Sequence, residues 1–346
     1  MPLKACGFES RPQHNLNLVN IIPLLQSSLN LKPKRKPVTI ITGFLGSGKT
    51  TLLKRILEEK HGQKIAVIVN EFGEVGIDDK LIVEKNSEMV KMTNGCICCT
   101  MQNETSKVLI NLLEKGNEFD RVVIETTGLA NPLPIMRQFL SEEFIKDNYQ
   151  LDGVVSMIDA FHIESQLDKH IETKEQIAYS DLLLLNKTDL IDQEKIEPIK
   201  TWLHAINPSA PIIETQRSSV AIKEIFDLQA KSREAILQHS HNHQHIEDSQ
   251  ITSFVLEESR PIAMNRLNEW LNSTLLLYSG DLLRYKGIFY IKDRPEKIIL
   301  QGVHTIFEKT EGKLWTDDEE KKTELVIIGR GLDKDIFEQS FKASLN

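Results

Sequence analysis

From Pro37 onward the chain alternates short, unbroken apolar runs with amphipathic stretches. Val38–Thr42, Lys64–Val69, Arg121–Ile124, Gly153–Ile158 and Leu182–Leu185 are such runs, and none alternates apolar with polar positions. That is the signature of parallel strands covered by helices on both faces. The intervening stretches have helical spacing; Thr51–Lys60 places Leu52, Leu53, Ile56 and Leu57 on one face. The pattern predicts an α/β domain with a doubly wound, mainly parallel sheet over residues 37–228.

Residues 229–250 are polar, carry His239, His241, His243 and His245, and read as a linker. Beyond them the spacing predicts strands at Ile251–Leu256, Gly287–Ile291, Lys297–Phe307 and Glu324–Gly329. Helices are expected at Ala263–Leu276 and Asp335–Ser344. This is a smaller α+β domain over 251–346 with a largely antiparallel sheet. Residues 1–36 hold four prolines, no clear period and the basic run Lys32, Lys34, Arg35, Lys36; they read as a disordered extension or an overlong start.

Composition narrows the class. The 346 residues are 40% hydrophobic and 27% charged, as in an ordinary soluble protein with room for two domains. No apolar run approaches the ~18–20 residues that span a bilayer, so no membrane partner is expected. A net charge of −8 argues against a general nucleic-acid binder. Three of the four cysteines crowd into Cys96-Ile97-Cys98-Cys99, which is no disulfide framework and points to a reducing, cytoplasmic setting.

Candidate chemistry lies at the ends of the apolar runs. Gly43-Phe44-Leu45-Gly46-Ser47-Gly48-Lys49-Thr50 fits the phosphate-binding loop, with a strand before and a helix after it. Backbone N–H groups of Gly43, Gly46, Ser47 and Gly48 would converge on phosphate oxygens, aided by the helix N-terminus. Lys49 would neutralise the β and γ phosphates, and the Thr50 hydroxyl would ligate Mg²⁺. Val122–Glu125 followed by Thr126-Thr127-Gly128 reads as a strand that presents Glu125 to Mg²⁺ through water and Gly128 to the γ-phosphate. Lys49, Thr50 and Glu125 are thus the catalytic candidates. Asn186-Lys187-Thr188-Asp189 follows a buried strand, where Asp189 could accept from both N1–H and the exocyclic amine of guanine. The nucleotide expected is therefore GTP.

Cys96, Cys98 and Cys99 offer thiolates, which select Zn²⁺ and similar soft ions over Mg²⁺. Three ligands leave a tetrahedral shell open for Glu74, His162 or a protein partner, and an open shell suits transfer better than storage. Buried structural cysteines or a redox thiol pair are the alternatives. Asn70–Asp78 is acidic and interrupted by glycine; it reads either as a mobile switch carrying Glu74 or as a solvated loop. The four histidines at 239–245 divide evenly between weak metal capture and a polar spacer.

Taken together, the phosphate loop through Leu53, Asn70–Glu74, Gly95–Cys99, Glu125–Pro132 and Asn186–Asp189 resemble the CobW family of metal-chaperone GTPases. Leu283–Gly287 and Leu300–Val303 resemble that family's C-terminal domain, so the resemblance runs from about Pro37 to the C-terminus. It implies a GTPase domain related to hydrogenase and urease metallochaperones, slow GTP hydrolysis, and a Zn²⁺ or Co²⁺ site at the cysteines. It further implies that Gly46, Gly48, Lys49, Thr50 and Thr51 cradle GTP and Mg²⁺, while Asn186, Lys187 and Asp189 read guanine. Some relatives carry an acidic ligand where this chain has Val69, which weakens a secondary metal site there.

The function expected is a GTPase that delivers metal to a client apo-metalloprotein, with GTP gating metal affinity. A homodimer is a candidate assembly. The rival is a zinc buffer in which nucleotide is structural and the histidines carry the capacity. A P-loop small-molecule kinase is disfavoured by Asn186–Asp189.

Overall fold

The computed structural model describes residues 35–70, 89–92, 100–114, 119–228 and 251–345. In the first domain seven described strands form one sheet: β1 (Lys36–Gly43), β2 (Ile65–Asn70), β3 (Met89–Met92), β4 (Arg121–Glu125), β5 (Tyr149–Asp159), β6 (Leu182–Asn186) and β7 (Ile212–Glu214). Their order is β3-β2-β4-β1-β5-β6-β7 and every pairing is parallel. Helices α1 (Lys49–Glu58), α2 (Thr100–Glu114), α3 (Leu133–Ser141), α4 (Glu143–Asn148), α5 (Ile163–Lys169), α6 (Ile171–Ala178), α7 (Ile196–Ile206) and α8 (Ile222–Ile225) connect them.

The unbroken apolar runs have the expected cause. Along β1, Ile41 packs with Val67, Val123, Val155 and the α1 residues Leu52, Leu53 and Ile56. Its neighbour Ile40 packs with Ile68, Ile124, Val154 and the α3 residues Ile135 and Phe139 on the opposite face. Both faces of the pleat are therefore buried, and each such side chain contributes about 1.5–3 kcal/mol of transfer free energy.

At the edge where β4 begins, the Arg121 guanidinium is 1% exposed and fully engaged. It donates to Asp152 Oδ2 at 2.5 Å, Asp227 Oδ1 at 2.7 Å, Thr39 Oγ1 at 3.1 Å and Gln63 Oε1 at 3.2 Å, and stacks 4.1 Å from the Phe226 ring. This cluster fastens the lower edge of the sheet.

The second sheet is antiparallel, in the order β11-β10-β9-β12-β8, formed by β8 (Ile251–Glu258), β9 (Leu282–Phe289), β10 (Glu296–Val303), β11 (Ile306–Leu314) and β12 (Thr323–Arg330). One face carries α9 (Met264–Leu277) and α10 (Lys334–Ser344) over Phe254, Tyr285, Leu300 and Ile327. The other face presents Leu283, Val303, Val326 and Ile328 to the first domain's core.

Two expectations for this sheet are corrected. The segment expected as one strand over 297–307 is two strands, β10 and β11, turning at His304 with φ of 49°. The strand expected at 287–291 begins at Leu282, because Arg284 and Lys286, charged in sequence, are 5% and 4% exposed. Both are buried against Asp181 of the first domain: Arg284 pairs with its carboxylate, and Lys286 Nζ lies 3.1 Å from Oδ1.

Candidate nucleotide-binding site

Because the sheet is parallel, all its strands end along one edge. β1, β4, β5 and β6 end at Gly43, Glu125, Asp159 and Asn186, respectively. β1 leads toward β2 on one side of the sheet and its neighbour β5 leads toward β6 on the other, and such a switch point is where open α/β sheets bind ligands.

The phosphate loop is shaped by glycine where L side chains fail. Gly43, Gly46 and Gly48 have φ of 133°, 75° and 113°. A Cβ on Gly43 would lie 2.3 Å from the Met157 carbonyl oxygen, and one on Gly48 would lie 2.5 Å from the Asn186 amide nitrogen. Gly48 leads straight into α1, which has no side-chain cap and no acidic residue in its first turn, so its N–H groups and dipole face an anion without competition.

Lys49 is 6% exposed and its ammonium donates to the carbonyls of Gly43 at 2.8 Å and Phe44 at 3.1 Å. Burial pushes its pKa below the usual lysine range, and the Glu125 carboxylate opposes that shift. The Thr50 hydroxyl donates to Glu125 Oε1 at 3.0 Å. Thr50 and Glu125 therefore bring two hard oxygen donors together beside the lysine, a donor set that fits Mg²⁺. Thr51 follows within the first turn, and the Ser47 hydroxyl is buried under the loop.

Gly128 closes the front of the loop. A Cβ on it would lie 2.6 Å from the Leu45 nitrogen. Sequence reasoning missed what holds it: Gln176 of α6 donates to the carbonyls of Gly128 at 3.3 Å and Ala130 at 3.1 Å. A glutamine in a helix gives no sequence signal for such a role.

At the other end, Asn186 uses its whole amide on the protein. It donates to the Ser47 carbonyl at 2.8 Å and Ser218 Oγ at 3.3 Å, and accepts from Ser218 N–H at 2.9 Å and Thr215 Oγ1 at 3.1 Å. It thus ties the phosphate loop to the 215–218 loop, where Arg217 and Ser218 have positive φ. Lys187, itself at φ of 62°, donates to Asp159 Oδ2 at 2.7 Å, and Asp189 is exposed on the following turn. Asp159 is 2% exposed; burial pushes its carboxyl up, but hydrogen bonds and charge from Lys187 and His162 outweigh this and hold it below the usual range. Asp159 and Ser218 were also missed, since neither lies in a recognisable motif.

Among the metal candidates, Glu74, Cys96, Cys98 and Cys99 lie outside the described residues, as do His239–His245. His162 is described: its Nδ1 sits 3.0 Å from Asp159 Oδ2, the oxygen that also accepts from Lys187. Among the described residues no group of three or more His, Cys, Asp or Glu is placed to hold a metal ion.

With this geometry in view, residues 37–214 match the CobW/HypB/UreG nucleotide-binding domain, and residues 251–345 match the cobalamin synthesis protein CobW C-terminal domain. The chain belongs to the CobW family. A member from Escherichia coli named zinc chaperone YjiA is 38% identical over 311 residues, which cover 88% of this chain and 97% of that protein. A Schizosaccharomyces pombe member named zinc-regulated GTPase metalloprotein activator 1 is 34% identical over 341 residues, covering 86% of this chain and 82% of that protein. The crystal structure of the Zn(II)-bound YjiA GTPase from E. coli superposes with a TM-score of 0.72 at 32% identity, covering 91% of this chain and all of that one. Among the described residues of this CobW protein, no helix is long and apolar enough to cross a membrane.

Proposed function

We propose that this protein binds GTP with Mg²⁺ at the β1–α1 loop, hydrolyses it, and uses that cycle to hand Zn²⁺ from Cys96, Cys98 and Cys99 to a client apo-metalloprotein. That the chain is a GTP hydrolase follows from its family and from relatives named as GTPases. The zinc half rests on the relatives' names and on the thiolate donor set. The observation that carries the reading is the meeting of Lys49 and Thr50, at the start of α1, with Glu125, at the end of β4.

In this reading the backbone of Gly43–Gly48 and the start of α1 bind the phosphates, and Lys49 exchanges its two carbonyl partners for β- and γ-phosphate oxygens. Thr50 would ligate Mg²⁺ directly and Glu125 through water; the ion neutralises charge developing between the β and γ phosphates. Gly128, lying on Leu45, presents its N–H toward the γ-phosphate position. Asp189 reads the guanine edge, Lys187 lies along the base with its charge held by Asp159, and Asn186 keeps the loops in register. Zn²⁺ is the cargo, and the 128–131 segment and residues 70–78 are the elements through which nucleotide biases its affinity.

The test is the Zn²⁺ dissociation constant of the full chain, by chelator competition, with GDP and with a non-hydrolysable GTP analogue. A shift of about fivefold or more, abolished by alanine at Cys96, Cys98 and Cys99, supports gated transfer. Equal affinities, with capacity lost on deleting His239–His245, would return the protein to a zinc buffer.

A further inference from the structure

Asn131, Glu175 and Arg330 form a chain of contacts that the nucleotide site alone does not require. Glu175 lies on α6 and is 8% exposed. Its Oε2 accepts from the Asn131 side-chain amide at 2.7 Å. Its Oε1 pairs with the guanidinium of Arg330, the last residue of β12 in the C-terminal sheet, 155 positions away in sequence. The neighbouring Gln176, 1% exposed, holds the Gly128 and Ala130 carbonyls.

Two features make this more than general packing. Asn131 is fixed from both ends, since its Oδ1 also accepts from Leu133 N–H at 2.8 Å and starts α3. The carboxylate of Glu175 is therefore the link between a segment seated on the phosphate loop and a strand of the other domain. The same helix end is also clamped from the C-terminal side: Arg284 donates to the Tyr179 carbonyl, and Tyr179 Oη lies 2.9 Å from His304 Nε2. A shift of β12 against the first domain would pull on Glu175, and Glu175 can answer only by moving Asn131 or breaking the pair.

We infer that Glu175 is a positioning residue through which the C-terminal sheet, by way of Arg330, sets the seating of the 128–131 segment and hence the preference for GTP over GDP. The inference rests on the GTPase reading of the site. An interaction that acts only through Gly128 has a specific signature: it alters affinity for a nucleotide bearing a γ-phosphate and leaves GDP affinity alone. A ligand can shift a two-state element only by its differential affinity for the two states.

The experiment uses the full chain and the variants Glu175→Gln, Arg330→Gln, their double variant and Arg330→Lys. Dissociation constants for GDP and a non-hydrolysable GTP analogue are measured with fluorescent nucleotides, alongside single-turnover phosphate release. Each Gln variant is expected to weaken the GTP analogue about fivefold or more while GDP stays within about twofold, the scale of ordinary site-to-site coupling. The double variant should be no worse than the more affected single one, and Arg330→Lys should recover part of the loss. Equal weakening of both nucleotides, no change in either, or additive losses would overturn the proposal. Wild-type protein that binds neither nucleotide would instead defeat the GTPase reading. Should Glu175→Gln fail to fold, Arg330→Gln alone, at a half-buried strand end, decides the matter by the same GDP-to-analogue ratio.

Discussion

Gly128 lies against Leu45 so closely that a Cβ on it would stand 2.6 Å from the Leu45 nitrogen and 2.7 Å from its Cα. Both contacts are backbone, so neither can swing aside. Gly128→Ala must displace either the phosphate loop or the segment that follows β4. Phosphate release is expected to fall on the order of 10²-fold, the usual cost of one displaced transition-state donor. An alanine variant that turns over GTP at the wild-type rate would show that the apposition has no part in the reaction.

Base selection makes a second prediction. In the proposed reading Asp189 accepts from two guanine donors; xanthine replaces the exocyclic amine with a carbonyl, which needs a donor instead. Asp189→Asn supplies one. The variant is expected to lose GTP affinity and gain affinity for the xanthosine nucleotide, with discrimination changing by several orders of magnitude as for other hydrogen-bonded substrate groups. Competition between the two triphosphates reads this directly.

Acid should loosen the contact between the domains. Burial alone would raise the Asp181 carboxyl, but Arg284, Lys286 and the Val154 N–H outweigh it and hold its pKa below the unfolded value near 3.9. In the window between the folded and unfolded values the unfolded chain binds more protons. The contribution of Asp181 is therefore complete above about pH 5 and lost as pH falls through about 4 and below. Denaturant midpoints from about pH 6 to about pH 3 should fall more steeply for the wild type than for Asp181→Asn, which starts lower. Parallel curves would remove Asp181 from the account.

Arg121 sets the stability of the lower edge. Arg121→Leu leaves the Asp152 carboxylate buried without its guanidinium, a defect costing about 3–5 kcal/mol. The expected result is a large drop in thermal midpoint that saturating nucleotide offsets only in part, because Arg121 lies at the opposite edge of the sheet from the phosphate loop.

The legible part of this molecule was what local sequence determines. Continuous apolar runs announced β1, β4, β5 and β6, and the phosphate loop announced itself through glycines whose positive φ the structure requires. The illegible part was set by distant partners. The start of β9 was misread because Arg284 and Lys286 look solvent-facing until Asp181 is seen to neutralise them. The β10–β11 turn escaped because His304, without glycine, asparagine or proline beside it, adopts φ of 49° on the strength of its contacts to Tyr179 and Ser279. Asn186 looked like a base reader, and its four bonds to neighbouring loops show a second task that no motif encodes.

The order of the first sheet has a consequence for how the protein comes into being. β1 is made before both of its sheet neighbours, β4 and β5, which begin at residues 121 and 149, so the strand that carries the phosphate loop waits for both. Loop closures of that length slow folding more than they weaken the finished fold. A nucleotide can dock only after the last of these pairings, and at a hundredfold excess over its dissociation constant it would then stabilise the native state by about 2.7 kcal/mol. GTP is thus placed to ratify assembly as well as to serve as the substrate, and newly made chains short of nucleotide would linger as targets for proteolysis.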